Sequence, residues 1–228
     1  LNSGGDCPGL NAVIHGVVGA AAELGWEVFG FRDGFEGLLP NGPGHIKLDT
    51  ERTVGILKLG GTILGTTNRG HFAAKVGVDN TAKVPLDIMD QAKVTIKYLG
   101  IDALIVVGGD GSLTTCLQLC EEGVPAVGVP KSIDNDLDAT SMTFGFYTAV
   151  RSVVDALDCL HTTAESHQRV MVVEVMGRGA GGLRTDRRRR PSPRSANAAG
   201  LRRRLRGDSR CAARRTGRRR PAPRSPTR

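Results

Sequence analysis

No apolar run in this chain approaches the roughly 20 residues that a membrane helix needs. The longest, such as Ala103 to Val107, are only about a quarter of that, so nothing is expected to cross a bilayer. The opening Leu1-Asn2-Ser3-Gly4-Gly5 lacks the basic flank and apolar stretch of a secretory leader, and it has no initiator Met. That points to a cytoplasmic protein whose numbering begins late. Paired cysteines are missing too. Cys7, Cys116, Cys120, Cys159 and Cys211 are odd in number and contain no CxxC spacing, which disfavours both a disulfide framework and a structural zinc site. Cys116 and Cys120 lie four apart on an expected helix with no His nearby, and they are read as a core or half-buried face. No internal repeat is evident. What is present is length: 228 residues can close a hydrophobic core without staples.

Charge divides the chain in two. The formal net charge is +8, yet from Gly182 onward there are eighteen Arg, no Lys and two acids (Asp186 and Asp208), a balance of +16; residues 1–181 carry a balance of −8. The tail has no aromatic residue, no Ile and no Val, and its only large aliphatics are Leu183, Leu201 and Leu205. Such a composition cannot bury enough surface to offset chain entropy, and disorder is expected over 182–228. Arg187 to Arg190 would suit a polyanion or nucleic acid. The alternative is a stretch read out of frame from G+C-rich coding DNA, which the abrupt loss of β-branched residues near Gly182 favours.

Residues 1–181 follow a different grammar. Leu104 to Val107 and Ala126 to Val129 are continuous apolar runs, and Val170 to Val175 is one broken only by Glu174, the pattern of strands buried on both faces of a parallel sheet. Between them lie helical stripes: Ile88, Ala92, Ile96 and Leu99 within 86–99, then Phe146, Val150, Val153, Leu157 and Leu160 within 144–163. Gly100 and Gly123 are expected to end helices. The alternation predicts an α/β fold, a doubly wound, mostly parallel sheet with helices on both faces and ligands at the carboxyl ends of the strands.

Four loops at those ends concentrate chemistry. Ser3-Gly4-Gly5-Asp6-Cys7-Pro8-Gly9 precedes a helix near Asn11, and its glycines let backbone N–H groups approach an anion; an ordinary strand-to-helix turn reads equally well. Gly108-Gly109-Asp110-Gly111-Ser112 follows a strong strand. It matches neither a Walker loop nor GxGxxG, but an acid bracketed by glycines can hold hydrated Mg²⁺ against phosphate oxygens. The plainer role for Asp110 is a helix cap. In Pro130-Lys131-Ser132-Ile133-Asp134-Asn135-Asp136, two carboxylates two apart can divide labour between a base and an organiser of metal or water, or simply build a turn. Glu165-Ser166-His167-Gln168-Arg169 and Met176-Gly177-Arg178 bracket the run 170–175. As a strand that run would hold Arg169 and Arg178 about 20 Å apart, so one of them would serve a neighbouring subunit. His167 is given no role.

With these loops in order, residues 1 to about 181 resemble the 6-phosphofructokinase family: GGDCPGLNA, GGTILGTTNR, GGDGS, PKSIDND, SHQR and EVMGR occur in the family's order and spacing. The resemblance implies transfer of the γ-phosphoryl of ATP to the 1-hydroxyl of fructose 6-phosphate, with Mg²⁺ as cofactor and a homo-oligomer, dimer or tetramer. Gly5, Gly109, Asp110, Gly111 and Ser112 would form the nucleotide site, with Asp110 toward the metal. Asp134 would be the base, with Ser132 and Asp136 beside it, and Arg69 would stabilise the transferred phosphoryl. Ser132, Ile133, Asp134, Met176, Gly177 and Arg178 would meet the sugar, and Arg169 would reach the 6-phosphate of an adjacent subunit. Gly111 leaves space for an α-phosphate and favours ATP; Lys131 is typical of pyrophosphate users and of a mixed branch, so pyrophosphate is the alternative donor. A lipid or nicotinamide-nucleotide kinase with the same GGDG loop is disfavoured by PKSIDND and EVMGR. The family's second lobe has no counterpart after Gly179-Ala180-Gly181-Gly182, from which little or no activity is expected of the chain as written.

Overall fold

The computed structural model describes residues 1–72, 83–137 and 140–176, with the backbone of short segments at 76–77 and 80–81. The arginine-rich tail, Gly177 and Arg178 lie outside the described residues. In chain order the elements are β1 (Asn2–Ser3), α1 (Leu10–Glu23), β2 (Val28–Phe31), a 3₁₀ turn (Gly34–Leu38), β3 (His45–Leu48), a second 3₁₀ turn (Ile56–Lys58), β4 (Val76–Gly77), β5 (Asn80–Thr81), α2 (Leu86–Tyr98), β6 (Leu104–Gly108), α3 (Asp110–Glu121), β7 (Ala126–Ser132), β8 (Phe144–Gly145) and α4 (Phe146–Ser166).

The central sheet has the order β1-β6-β7-β8, all parallel; β2 and β3 form a separate antiparallel pair. Alternation along β6 separates two faces. Leu104 and Val106 pack into a cluster with Met89, Ala92 and Ile96 of α2 and Cys116 and Leu119 of α3. Val107 points the other way, against Leu10 and Val13 of α1. Helices therefore cover both faces, as a doubly wound sheet requires. Gly100 and Gly123 do end α2 and α3, at φ +64° and +87°. Each closes a Schellman turn: Ile101 N–H returns to Ile96 C=O and Val124 N–H to Leu119 C=O, at 3.0 and 2.9 Å.

Three expectations fail, for one physical reason. The run Val170 to Val175 forms no strand, and Val170 and Val172 are 66% and 78% exposed. On α4 only Phe146 of the expected stripe is buried. On β7, Val127 is largely exposed beside its register partner Ile105, because α1 covers that face toward the carboxyl end, at Val107 and Val129. An apolar pattern becomes a buried element only where another described layer meets it.

Candidate functional site

Three of the four loops converge at the carboxyl ends of β1, β6 and β7 around a cavity of about 280 Å³. It is lined by Ser3, Gly4 and Gly5, by Gly109 to Ser112, by Lys131, by Thr67 to Arg69, and by Phe35, Glu36 and Phe72. The glycines are there for space. Gly4 sits at φ +92°, and a Cβ on it would come within 3.3 Å of Ser112 Oγ and 3.6 Å of Lys131 Nζ. A Cβ on Gly108 would collide with the Ser112 side chain. The β6–α3 turn is thus drawn against the first loop, and both line one cavity.

Lys131 fastens the arrangement from beneath. It is buried, and its ammonium donates to Gly5 C=O at 2.6 Å. Desolvation holds its pKa below the usual 10.5, opposed by the nearby Cys7 and Asp6. Burial also pushes the Cys7 thiol up to about 11, so Cys7 is a packing residue here and no thiolate nucleophile.

Asp110 opens α3, but the helix cap is Gly109 and no side chain bonds the cap; Asp110 is exposed and lines the cavity. Among the described residues no group of three or more His, Cys, Asp or Glu could cage a metal. An exposed carboxylate in a cavity wall is the kind of donor Mg²⁺ takes, because that ion binds through one or two carboxylates while substrate phosphates and water supply the rest.

At the end of β7 the two carboxylates separate in function. Ser132 Oγ donates to Asp136 Oδ1 at 2.9 Å and accepts the Asp134 N–H at 3.1 Å. Asn135, at φ +51°, accepts the Thr143 N–H at 2.9 Å, while Thr143 Oγ1 donates to Ser132 C=O at 2.6 Å. This mesh fixes the turn and leaves Asp134 Oδ1 buried without a partner among the described residues. An orphaned carboxylate oxygen is costly, and a hydroxyl-bearing ligand would satisfy it. Ile133 spends its side chain on the cluster of Cys7, Leu10, Val13 and Val107.

Arg69 is exposed, and its guanidinium makes no ion pair among the described residues. Arg169 follows α4, its N–H bonded to Ala164 C=O at 2.9 Å. Met176 is 77% exposed. Neither Arg169 nor Met176 lines the cavity, and of the third loop only Lys131 does, with Ser132, Ile133, Asp134 and Asp136 lying beyond it. Sequence reasoning missed three contributors. Asn11, buried on α1, ties down the loop at 59–63 through Leu59 C=O, Gly60 C=O and Ile63 N–H; its polarity within an apolar stripe was the available signal. Thr143 and Glu36 carried no local signal at all.

A parallel sheet wrapped on both faces, with glycine-rich turns, a buried lysine and an exposed arginine around one cavity at its carboxyl edge, is the architecture of a doubly wound α/β domain. The phosphofructokinase family model matches residues 1–186, and the chain belongs to that family. It is 52% identical over 182 residues to the ATP-dependent 6-phosphofructokinase of Chloroflexus aggregans, covering 79% of this chain and 50% of that protein. It is 48% identical over 183 residues to the pyrophosphate–fructose 6-phosphate 1-phosphotransferase of Streptomyces coelicolor, with the same two coverages. Among solved structures, phosphofructokinase from Saccharomyces cerevisiae superposes with a TM-score of 0.68 at 36% identity, over 80% of this chain and 26% of that one. The Pichia pastoris phosphofructokinase in the T-state gives 0.70 at 34%, over 80% and 20%. The chain spans about half the length of the curated relatives it matches. No helix among the described residues is long and apolar enough to cross a membrane.

Proposed function

We propose that residues 1–181 form the nucleotide-binding half of a 6-phosphofructokinase site, which moves the γ-phosphoryl of ATP to the 1-hydroxyl of fructose 6-phosphate. The observation that supports this is Oδ1 of Asp134, buried and without a partner among the described residues, in the turn just after β7, the strand whose Lys131 lines the cavity. Phosphoryl transfer asks the protein for positioning, charge neutralisation and one base. The amides of Gly5, Gly109 and Gly111, with Ser112, hold the donor phosphates, and Arg69 faces the transferred group. Asp134 takes the proton of the attacking hydroxyl, with Asp136 holding Ser132 in place beside it. Asp110 would hold Mg²⁺, which supplies neutralisation of phosphate charge. Met176, Gly177 and Arg178 would meet the sugar, and Arg169, which does not line the cavity, would reach the 6-phosphate in an adjacent subunit of a homo-oligomer.

Gly111 supports ATP as donor. The pyrophosphate reading keeps one support, the buried Lys131, and a relative of each kind is nearly equally similar. The test is Asp134→Ser in an intact two-lobed enzyme that carries residues 1–181, since little or no turnover is expected of this chain alone. It should leave MgATP binding within about twofold while removing measurable turnover of fructose 6-phosphate by about 10²- to 10⁴-fold. Unchanged turnover removes Asp134 as the base, and faster turnover with magnesium pyrophosphate than with MgATP overturns the donor.

A further inference from the structure

Glu36 places a carboxylate in the wall of a cavity read as a polyanion site, and a bare carboxylate there would repel the ligand. It is not bare. Its side chain is 18% exposed. Oε1 accepts the backbone N–H groups of His71 and Phe72, at 2.6 and 3.3 Å, and Oε2 meets His71 Nδ1 at 2.9 Å. Both oxygens are engaged by donors from one loop, the loop that carries Arg69. Gly70 between them sits at φ +110°, and a Cβ there would collide with the Glu36 carboxylate, so that residue's lack of a side chain admits the contact. Phe72 then stacks on Phe35, the neighbour of Glu36, with ring centroids 5.3 Å apart and planes at 27°.

The other end of the same loop is fastened to the first glycine-rich loop. Gly4 N–H donates to Thr67 C=O at 3.0 Å, and Thr66 Oγ1 donates to Gly4 C=O at 2.7 Å. Arg69 N–H donates to Thr67 Oγ1 at 3.0 Å. Arg69 is therefore suspended between two anchors, one on the Gly4 loop and one on Glu36. A long cation held at both flanks loses less freedom when it engages a phosphate than one on a free loop.

We propose that Glu36 is a positioning residue for the donor site: its carboxylate clamps the 69–72 loop so that Arg69 is held toward the phosphates, and it touches no ligand itself. This rests on the proposed nucleotide site. The experiment is a double-mutant cycle on the full chain, read as MgATP affinity by titration calorimetry, with thermal melts to confirm folding. Glu36→Ala and Arg69→Ala should each weaken binding by about tenfold, and the double variant should bind no worse than Arg69→Ala, because Glu36 acts through Arg69. Glu36→Gln, whose carbonyl can still accept the His71 amide, should recover part of the loss. Amide hydrogen exchange at His71 and Phe72 should quicken by about tenfold or more in Glu36→Ala. Wild-type affinity in Glu36→Ala, or losses that simply add in the double variant, would overturn the proposal. Should the wild-type chain bind no MgATP, the nucleotide reading itself fails; exchange, which needs no ligand, would then decide the clamp, and unaltered rates at His71 and Phe72 would overturn it.

Discussion

The layer built from α2, β6 and α3 and the long helix α4 carry comparable apolar stripes but meet different fates. In the first, Met89, Ala92, Ile96, Leu104, Val106 and Leu119 interlock with almost no exposure. In the second, Val150, Val153, Leu157 and Leu160 stay half-exposed along 21 residues of helix, and the apolar run that follows forms no strand. A stripe tells what a helix can bury; a facing layer decides whether it does. The cavity takes its glycine-rich loops and Lys131 from the first kind of region, with Phe35, Glu36, Thr67 to Arg69 and Phe72 completing the wall. Those glycine-rich loops hang from β1 and β6, and Lys131 from β7, whose ladder is closed by main-chain bonds, whereas Arg169 and Met176 belong to the second.

The contrast can be broken by paired truncations. Leu119→Ala should destabilise the chain by about 2–5 kcal/mol, because it opens a cavity in a close-packed cluster. Leu157→Ala, on the uncovered helix, should cost less than about 1 kcal/mol. Urea midpoints at constant slope measure both, and equal losses would show that α4 is as well packed as α3.

A smaller effect sharpens the comparison inside the site. Lys131→Met should weaken MgATP binding by about tenfold, through loss of a charge beside the phosphates. The pH dependence has a definite sign. Burial lowers the folded-state pKa of Lys131 below 10.5, so over the window between the two values the unfolded chain holds more protons, and stability contributed by this group rises with pH. Donor affinity should fall over the same window as the ammonium is lost, and Lys131→Met should flatten both trends. A donor affinity that stays constant through that range in the wild-type chain would remove Lys131 from the binding site.

Much of this was legible because the chemistry sits at strand ends. Asp110 and Asp134 each follow a β-rich apolar run, and that placement alone marks the carboxyl edge of a parallel sheet. The division between Asp134 and Asp136 was not legible, since it depends on a hydroxyl rotamer at Ser132. Thr143 joins Asn135 across a turn and Glu36 joins His71 across 35 residues; such pairings leave no periodic or local trace. The failure at 170–175 has the opposite cause: its β-branched composition is real, but composition cannot supply the neighbouring strand that a ladder needs.

The account stands on where the donor's phosphates settle, and amide NMR of the full chain titrated with MgATP measures this directly. Shifts should concentrate at Gly5, Gly109, Gly111 and Ser112, with the amides of α4 silent. Saturable shifts that cluster elsewhere and leave those four amides unmoved would contradict it.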